Sequence, residues 1–509
     1  MSIASEAAAG GEDSAPTIST VAGTGDWGSG GDGGPAALAQ LKGPLGIAVD
    51  HTGSLFICDS SNHRVRKVGA DGKIDTVVGT GTAGFGGDGG PAAEAQLKRP
   101  AAVAVDSAGA LYITDAGNQR VRKVTADGVI STVAGTGTAG FGGDGGAATA
   151  AHLNAPSGVA VDSSGVLYVA ESSNHRVRKI TADGVISTVV GNGSKGAGGD
   201  GGPAVEAQLN GPLGVAVDAE GSLYIVDFGN NRVRKVAADG TISTVAGTGA
   251  PGFAGDDGLA TKAQLLAPVE VMADSAGALY IADAGNHRVR KVAADGTIST
   301  VAGTGTPGSA GDDGPATKAQ LGMPSGLAAG GAGGFYIAES GYKRVRKVTP
   351  VKTDGPPESG TVVSWTNIRS RLRMGVLRES TKDGAEVHQA LASPRAHQRW
   401  RLVVTGRDQG DVLYRIENVR SGKVLEVVGA GMADGAVVAQ RAYEGDDARH
   451  QQWRLVPVDS ATGAPRVYEI ANRNSGLFLC VGTNAPATVK QHAVMEGDPR
   501  ARQWQLLSV

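Results

Sequence analysis

Three sets of residues in this chain have the types and spacing that chemistry would need. His63, His175 and His287 stand at equivalent places in alternate copies of a repeated segment, and neutral imidazole is the commonest metal ligand. A carboxylate series, Asp59, Asp115, Glu171, Asp227, Asp283 and Glu339, is followed each time by an arginine, Arg64, Arg120, Arg176, Arg232, Arg288 or Arg344. Gly-rich loops carry a third series, Asp32, Asp88, Asp144, Asp200, Asp256 and Asp312, which could hold a cation. No G-x-S-x-G, H-E-x-x-H or phosphate-loop pattern occurs, so catalysis has no positive signature. What the three sets can do depends on the elements that carry them.

Those elements repeat. ISTVAGTG starts at Ile18 and recurs with small changes at Ile74, Ile130, Ile186, Ile242 and Ile298, 56 residues apart each time. Each unit runs from a Gly-Asp loop through a short Ala-rich turn to four apolar runs split by Gly, Asp and Asn, and such runs read as four strands. A four-stranded unit of this length is a propeller blade or a solenoid turn. The ends decide. The sixth unit stops at Pro350 without its fourth strand, and an orphan fourth strand, Ile18–Ala22, precedes the first unit. A ring closed by its own first strand follows, because an open solenoid would need polar caps. Residues 16–350 are therefore predicted to form a six-bladed β-propeller behind a disordered tail, 1–15. Aromatic residues make up 4% of the chain and it holds 81 glycines, as suits a turn-rich all-β protein.

In a ring the three histidines spread apart at the start of the third strands, about two strand spacings of ~4.8 Å from the innermost strand. Zinc ligands must lie within about 2.1 Å of one ion, so no shared metal and no cofactor is predicted. The carboxylate–arginine series reads as blade architecture, a capped turn with an ion pair. Each Gly-Asp loop offers too few oxygens for calcium, which takes six to eight, and reads as a turn.

The pattern P-x-G-[IV]-A-V-D-x-x-G-x-L-Y-[IV]-x-[DE]-x-x-N-x-R-V-R-K resembles NHL repeats over about two thirds of the chain. The resemblance implies a propeller that binds proteins or RNA, or more rarely one that is an enzyme. The last copy departs from it at Gly330 and Tyr342, which predicts a looser blade. Near-identical repeats disagree most just before the first strand, where they read LKGPLG, LKRPAA, LNAPSG, LNGPLG, LLAPVE and LGMPSG. Lys42, Lys98, Arg99, Asn154, Asn210 and Glu270 are thus predicted to ring one mouth of the central channel, a polar lip for a small polar ligand or a partner's loop.

Residues 351–361 carry Pro356-Pro357 and read as a linker. Beyond them Gln389, Gln440 and Gln491 are 51 apart, and Trp400, Trp453 and Trp504 are 53 and 51 apart. Three copies with one Trp each predict a threefold barrel anchored by tryptophan. Gln398-Arg399-Trp400 and Gln451-Gln452-Trp453 resemble the Gln-x-Trp mark of the ricin-type lectin β-trefoil over residues 362–509, decaying to Arg502-Gln503-Trp504. That resemblance implies sugar binding through an Asp after the first strand, helped by a Gln and a stacking aromatic. The Asp slot holds Gly375, Glu426 and Cys480, so only the middle copy keeps a carboxylate. Glu426, Gln440, Tyr443, His450 and Gln451 are the implied carbohydrate site, for a galactose- or mannose-type ligand.

Net charge is −3, mildly basic beyond residue 360 and acidic before it, far from the clustered basic surface of a nucleic-acid binder. No apolar run reaches membrane-spanning length. The N-terminal residues lack a leader's basic start and apolar stretch. The two cysteines, Cys58 and Cys480, make no disulfide framework, which predicts a cytoplasmic home and leaves leaderless export open. The sequence reads as an all-β, non-catalytic recognition protein: a propeller that docks a protein or small polar ligand, followed by a β-trefoil that binds carbohydrate. A propeller lyase or hydrolase targeted to glycan, or a pure interaction scaffold, are the alternatives.

Overall fold

The computed structural model describes residues 15–350, apart from 275–276 and 332, and from 362 to 508 the strands of a second unit with part of their turns. Two compact units divide the chain, Met1–Val351 and Lys352–Val509. The expected tail and linker fall almost wholly outside the described residues.

In the first unit six antiparallel sheets repeat one plan. The first blade runs Pro44–Val49, Leu55–Asp59, Arg64–Val68 and Ile74–Val78, in that order across the sheet. The alternation of the second strand, Leu-Phe-Ile-Cys-Asp, buries both faces, because each sheet is sandwiched between neighbours. Cys58 is fully buried there, as its small counterparts suggest. The first strands pack one against the next around the ring, and the sixth against the first. Their contact is so close that a Cβ on Gly158 would lie 2.2 Å from the Leu213 carbonyl, and one on Gly326 would lie 2.3 Å from that of Leu45. Glycine at this step lets neighbouring inner strands approach this closely.

The sixth sheet is completed as expected. Thr17–Ala22 pairs antiparallel with Arg344–Thr349, Ile18 opposite Val348, and Ile18 is fully buried. An added two-residue strand, Gly258–Leu259, extends the fifth sheet through Thr297–Ala302, a detail the repeat pattern did not announce.

Every blade is tied by a buried arginine, and here one expectation is corrected. Arg66, Arg122, Arg178, Arg234, Arg290 and Arg346 are completely buried, and each reaches the Asp of its Gly-Asp loop at 2.5–2.6 Å. The second oxygen of that Asp accepts a threonine hydroxyl from the fourth strand, Thr76 onto Asp32 at 2.7 Å for example. In the last blade the N-terminal strand supplies this group, Thr20 onto Asp312 at 2.7 Å. The strand-end carboxylates were expected to pair with the Arg64 series. Only Asp59 does, with Arg64 at 3.2 Å; Asp115 and Glu171 pair with the buried Arg122 and Arg178, at 3.4 and 3.1 Å. The Arg120, Arg176 and Arg288 guanidiniums instead lie 3.7–3.8 Å over Phe85, Phe141 and Phe253.

The second unit is a trefoil whose strands, among the described residues, form one twelve-stranded sheet. Trp400, Trp453 and Trp504 are fully buried, and their indole N–H groups donate to the carbonyls of Met374, Leu425 and Leu479 at 3.1, 2.9 and 3.0 Å. Each acceptor directly precedes the slot residue of its copy, so the threefold anchor fixes the backbone of Gly375, Glu426 and Cys480 alike.

Removing residues 1–24 exposes two sheet edges and strips Ile18 and Ala22 from the core. Thermal unfolding of that truncation should show a loss of at least ~2 kcal/mol, the scale of one buried Ile. An unchanged melting temperature would show that the seam carries no stability.

Candidate functional site

The propeller histidines are struts. His63, His175 and His287 each stand in the turn just before their third strand, in the left-handed conformation. Their Nδ1 atoms accept the backbone N–H of Arg99, Gly211 and Met323 in the following blade, at 3.1, 3.0 and 3.3 Å. Gln119 and Asn231 do the same for Ala155 and Ala267. An accepting Nδ1 means a neutral ring, and burial holds His63 and His287 below the usual histidine range.

The strand-end carboxylates are equally committed. Asp59 accepts from the Lys42 N–H at 2.7 Å and from Asn62 at 2.8 Å, and this pattern recurs through Asn118, Asn230 and Asn286. Tyr342 interrupts it. Its ring fills the space over Gly322, 1.8 Å from where a Cβ would stand. Glu339 thereby loses its amide donor, and burial pushes it up to about 7.

The lip residues do not act as one set. Lys98 and Arg99 are exposed, and Lys42, Asn154 and Asn210 are half-buried. Their contacts are local: Lys42 Nζ lies 5.6 Å over Trp27, and Asn210 faces Asn230 at 3.5 Å. Glu270 belongs elsewhere. It is the third residue of the inner strand Pro268–Ala273, where four other blades have the close-contact Gly, so the expected place at the mouth is corrected to the wall of inner strands. A Cβ on Gly214 would lie 2.4 Å from Glu270 Oε1; the neighbour's missing side chain makes the room. That oxygen accepts the Val271 N–H at 3.0 Å, and among the described residues Glu270 forms no ion pair. Some of its surface stays accessible, but its carboxyl is enclosed and burial pushes it up to about 8.

In the trefoil the residues around the middle slot, Glu426, take up separate roles. Gln440 is buried and consumed by the scaffold, accepting from Ser421 at 2.7 Å and donating to the Ser380 and Lys382 carbonyls at 2.8 and 3.1 Å. Gln451 is buried too, donating to Glu426 Oε2 and the Ala442 carbonyl, both at 3.0 Å, and accepting the Glu444 N–H. The Tyr443 ring is covered on one face by the Arg415 guanidinium, 4.5 Å away. Glu426 is only 1% exposed. Its Oε1 meets Arg441 at 2.6 Å, and its Oε2 stands 3.6 Å from His450 Nε2. The same nitrogen is 3.5 Å from Glu444 Oε2, whose side chain is 54% exposed.

Arg441 and Glu444 are the residues that motif reasoning missed, since neither belongs to the Gln-x-Trp pattern or the slot. The Arg-Ala-Tyr-Glu run after Gln440 was the available signal. A second correction concerns metals. Ligand atoms were not expected to converge anywhere, yet one from each of Glu426, Glu444 and His450 lies within 4.8 Å of the others.

Residues 10–84, 81–141, 138–198 and 193–252 match the family described as teneurin NHL domain, and residues 352–441 match the ricin-type β-trefoil lectin domain-like family. This is an NHL-repeat propeller followed by a ricin B-type trefoil. Teneurin-4 of Mus musculus is 29% identical over 348 residues, covering 60% of this chain and 12% of that protein's length. A Bacteroides thetaiotaomicron protein of unknown function shares the fold, with a TM-score of 0.51 at 21% identity, over 66% of this chain and 76% of its own. Virginiamycin B lyase of Staphylococcus aureus also aligns, with a TM-score of 0.38 at 15% identity, over 60% of this chain and 95% of its own.

The cytoplasmic expectation is overturned by the teneurin relatives, whose matching domains are extracellular. The lack of a disulfide framework does not set the compartment, because blade-to-blade packing and buried ion pairs already hold this NHL-repeat ring. Among the described residues no helix is long and apolar enough to cross a membrane.

Glu270 generates a pH prediction. A carboxyl whose folded value is raised from 4.5 to about 8 stabilises the fold fully below its unfolded value. That contribution fades as pH climbs and is gone above the folded value, a tenfold difference in proton affinity between the two states being worth about 1.4 kcal/mol. Glu270→Gln should therefore match wild type near pH 4.5 and exceed it in denaturant midpoint at pH 9. Parallel stability curves across that range would refute the assignment.

Proposed function

We propose that this chain is a recognition protein whose trefoil takes a carbohydrate at its middle copy, while the propeller offers a docking face to a protein partner. The observation that carries the reading is the placement of a fixed carboxylate in the lectin family's sugar slot. Trp453 holds the backbone beside Glu426, and Arg441 and Gln451 hold its carboxylate. Because Glu426 is buried, the groups offered to sugar hydroxyls are the exposed Glu444 and the partly exposed His450, with Glu426 behind them. The Glu444 carboxylate accepting from a sugar hydroxyl forms a charge-assisted bond, the stronger kind, and the His450 imidazole adds a neutral acceptor beside it.

Calorimetric titration of the full chain with galactose- and mannose-type oligosaccharides tests this. Glu444→Ala should cost about 1.5–3 kcal/mol of binding, as a lost charged hydrogen bond does, and His450→Ala about 0.5–1.5 kcal/mol, as a neutral one does, while Glu426→Ala should cost as much as Glu444→Ala by releasing the cluster. Gly375→Asp should leave binding unchanged. Equal affinity in all these variants moves the site elsewhere.

A second reading, hydrolysis by the propeller of a glycan delivered by the trefoil, is favoured by Glu270, an enclosed carboxyl pushed up to about 8. A carboxylic acid still protonated near neutrality is matched to general-acid work. Incubating the full chain with a bound oligosaccharide and counting new reducing ends should then give turnover that Glu270→Gln abolishes. No new ends from wild type removes this reading.

A further inference from the structure

We infer that Glu426, Glu444 and His450 form a binding site for a single divalent transition-metal ion of the zinc class, with one coordination position open. The proposal stands on the arrangement of these three side chains and does not rest on the carbohydrate reading.

Distance is the first argument. His450 Nε2 lies 3.6 Å from Glu426 Oε2 and 3.5 Å from Glu444 Oε2. Both separations exceed the 2.7–3.2 Å of an N–H···O hydrogen bond. Two ligands bound to a tetrahedral ion at about 2.0–2.2 Å are about 3.4 Å apart. The spacing suits donor atoms that share an ion better than donors that share a proton.

Chemistry is the second. One imidazole nitrogen with two carboxylate oxygens suits zinc, whose catalytic-type sites combine such ligands with an open position. Calcium is disfavoured, since it seeks six to eight oxygens and rarely a nitrogen. With His450 neutral, the two carboxylates and Arg441 leave a net charge of −1 for a dication to meet.

The supporting layer is the third. Gln451 donates to Glu426 Oε2 at 3.0 Å and Arg441 meets Oε1 at 2.6 Å, so the buried carboxylate is fixed with Oε2 toward His450. The His450 carbonyl accepts from Asn472 at 3.0 Å, fixing the backbone that carries the ring. Partners of this kind orient ligands and raise metal affinity. Glu444, more than half exposed, leaves a way in, and a fourth ligand from solvent or from a bound molecule completes the shell.

The test uses the full chain, stripped with EDTA and dialysed. Titration with zinc chloride should show one equivalent bound, and cobalt(II) should give the intense visible absorption of a four-coordinate ion. Glu444→Gln and His450→Ala should each weaken zinc by about tenfold or more, while their metal-free melting temperatures stay at the wild-type value. Glu444→Gln is the safer variant for folding because its side chain reaches solvent. Failure of wild type to bind zinc, or wild-type affinity in either variant, overturns the site. Glycan titration with and without EDTA reads the carbohydrate proposal separately, since the ion is titrated here without sugar.

Discussion

The first unit depends on a guanidinium buried in the third strand of each blade. A charge placed there is costly unless it is paired. The Gly-Asp loop meets that demand by folding back so that its Asp faces the arginine and takes the fourth-strand threonine on its other oxygen. One interaction thus fixes the long loop, the third strand and the fourth strand together. It also explains why loops with so many glycines are ordered: their course is dictated by what the aspartate must reach.

The repeats made the ring legible because spacing survives when individual side chains change. Strand order, closure by the first strand and the three tryptophan anchors all follow from period and polarity. Pairing did not follow. Arg64 and Arg66 are two residues apart on one strand, and nothing in the pattern says which meets the strand-end carboxylate. Packing decides it, since an aromatic over Arg120, Arg176 and Arg288 draws that side chain away. Glu270 was legible as an exception, but not as an enclosed one, because the depth of the inner-strand contact is set by neighbouring blades that the local sequence does not describe.

In the trefoil the slot residue was legible and its surroundings were not. Gln440 and Gln451 look like ligand-binding amides in a motif and are instead spent on the trefoil's own backbone and side-chain groups. That leaves chemistry to Glu444 and His450, which meet only because one strand's end and a short turn converge on Glu426. Motif matching finds the residues a family shares; it is blind to those that one copy brings together by itself.

The seam of the propeller also orders events in time. Thr17–Ala22 is made first and finds its partner, Arg344–Thr349, only after all the intervening blades exist. Until then the nascent chain carries an unpaired apolar strand at its head and an unfinished sheet at its tail. Contacts between such distant parts form slowly, and exposed strand edges invite pairing with other chains. Ring assembly is therefore governed by its last zip rather than by any single blade. A second copy of the chain can supply the missing strand to an unfinished ring, which makes strand exchange the characteristic misassembly of this architecture.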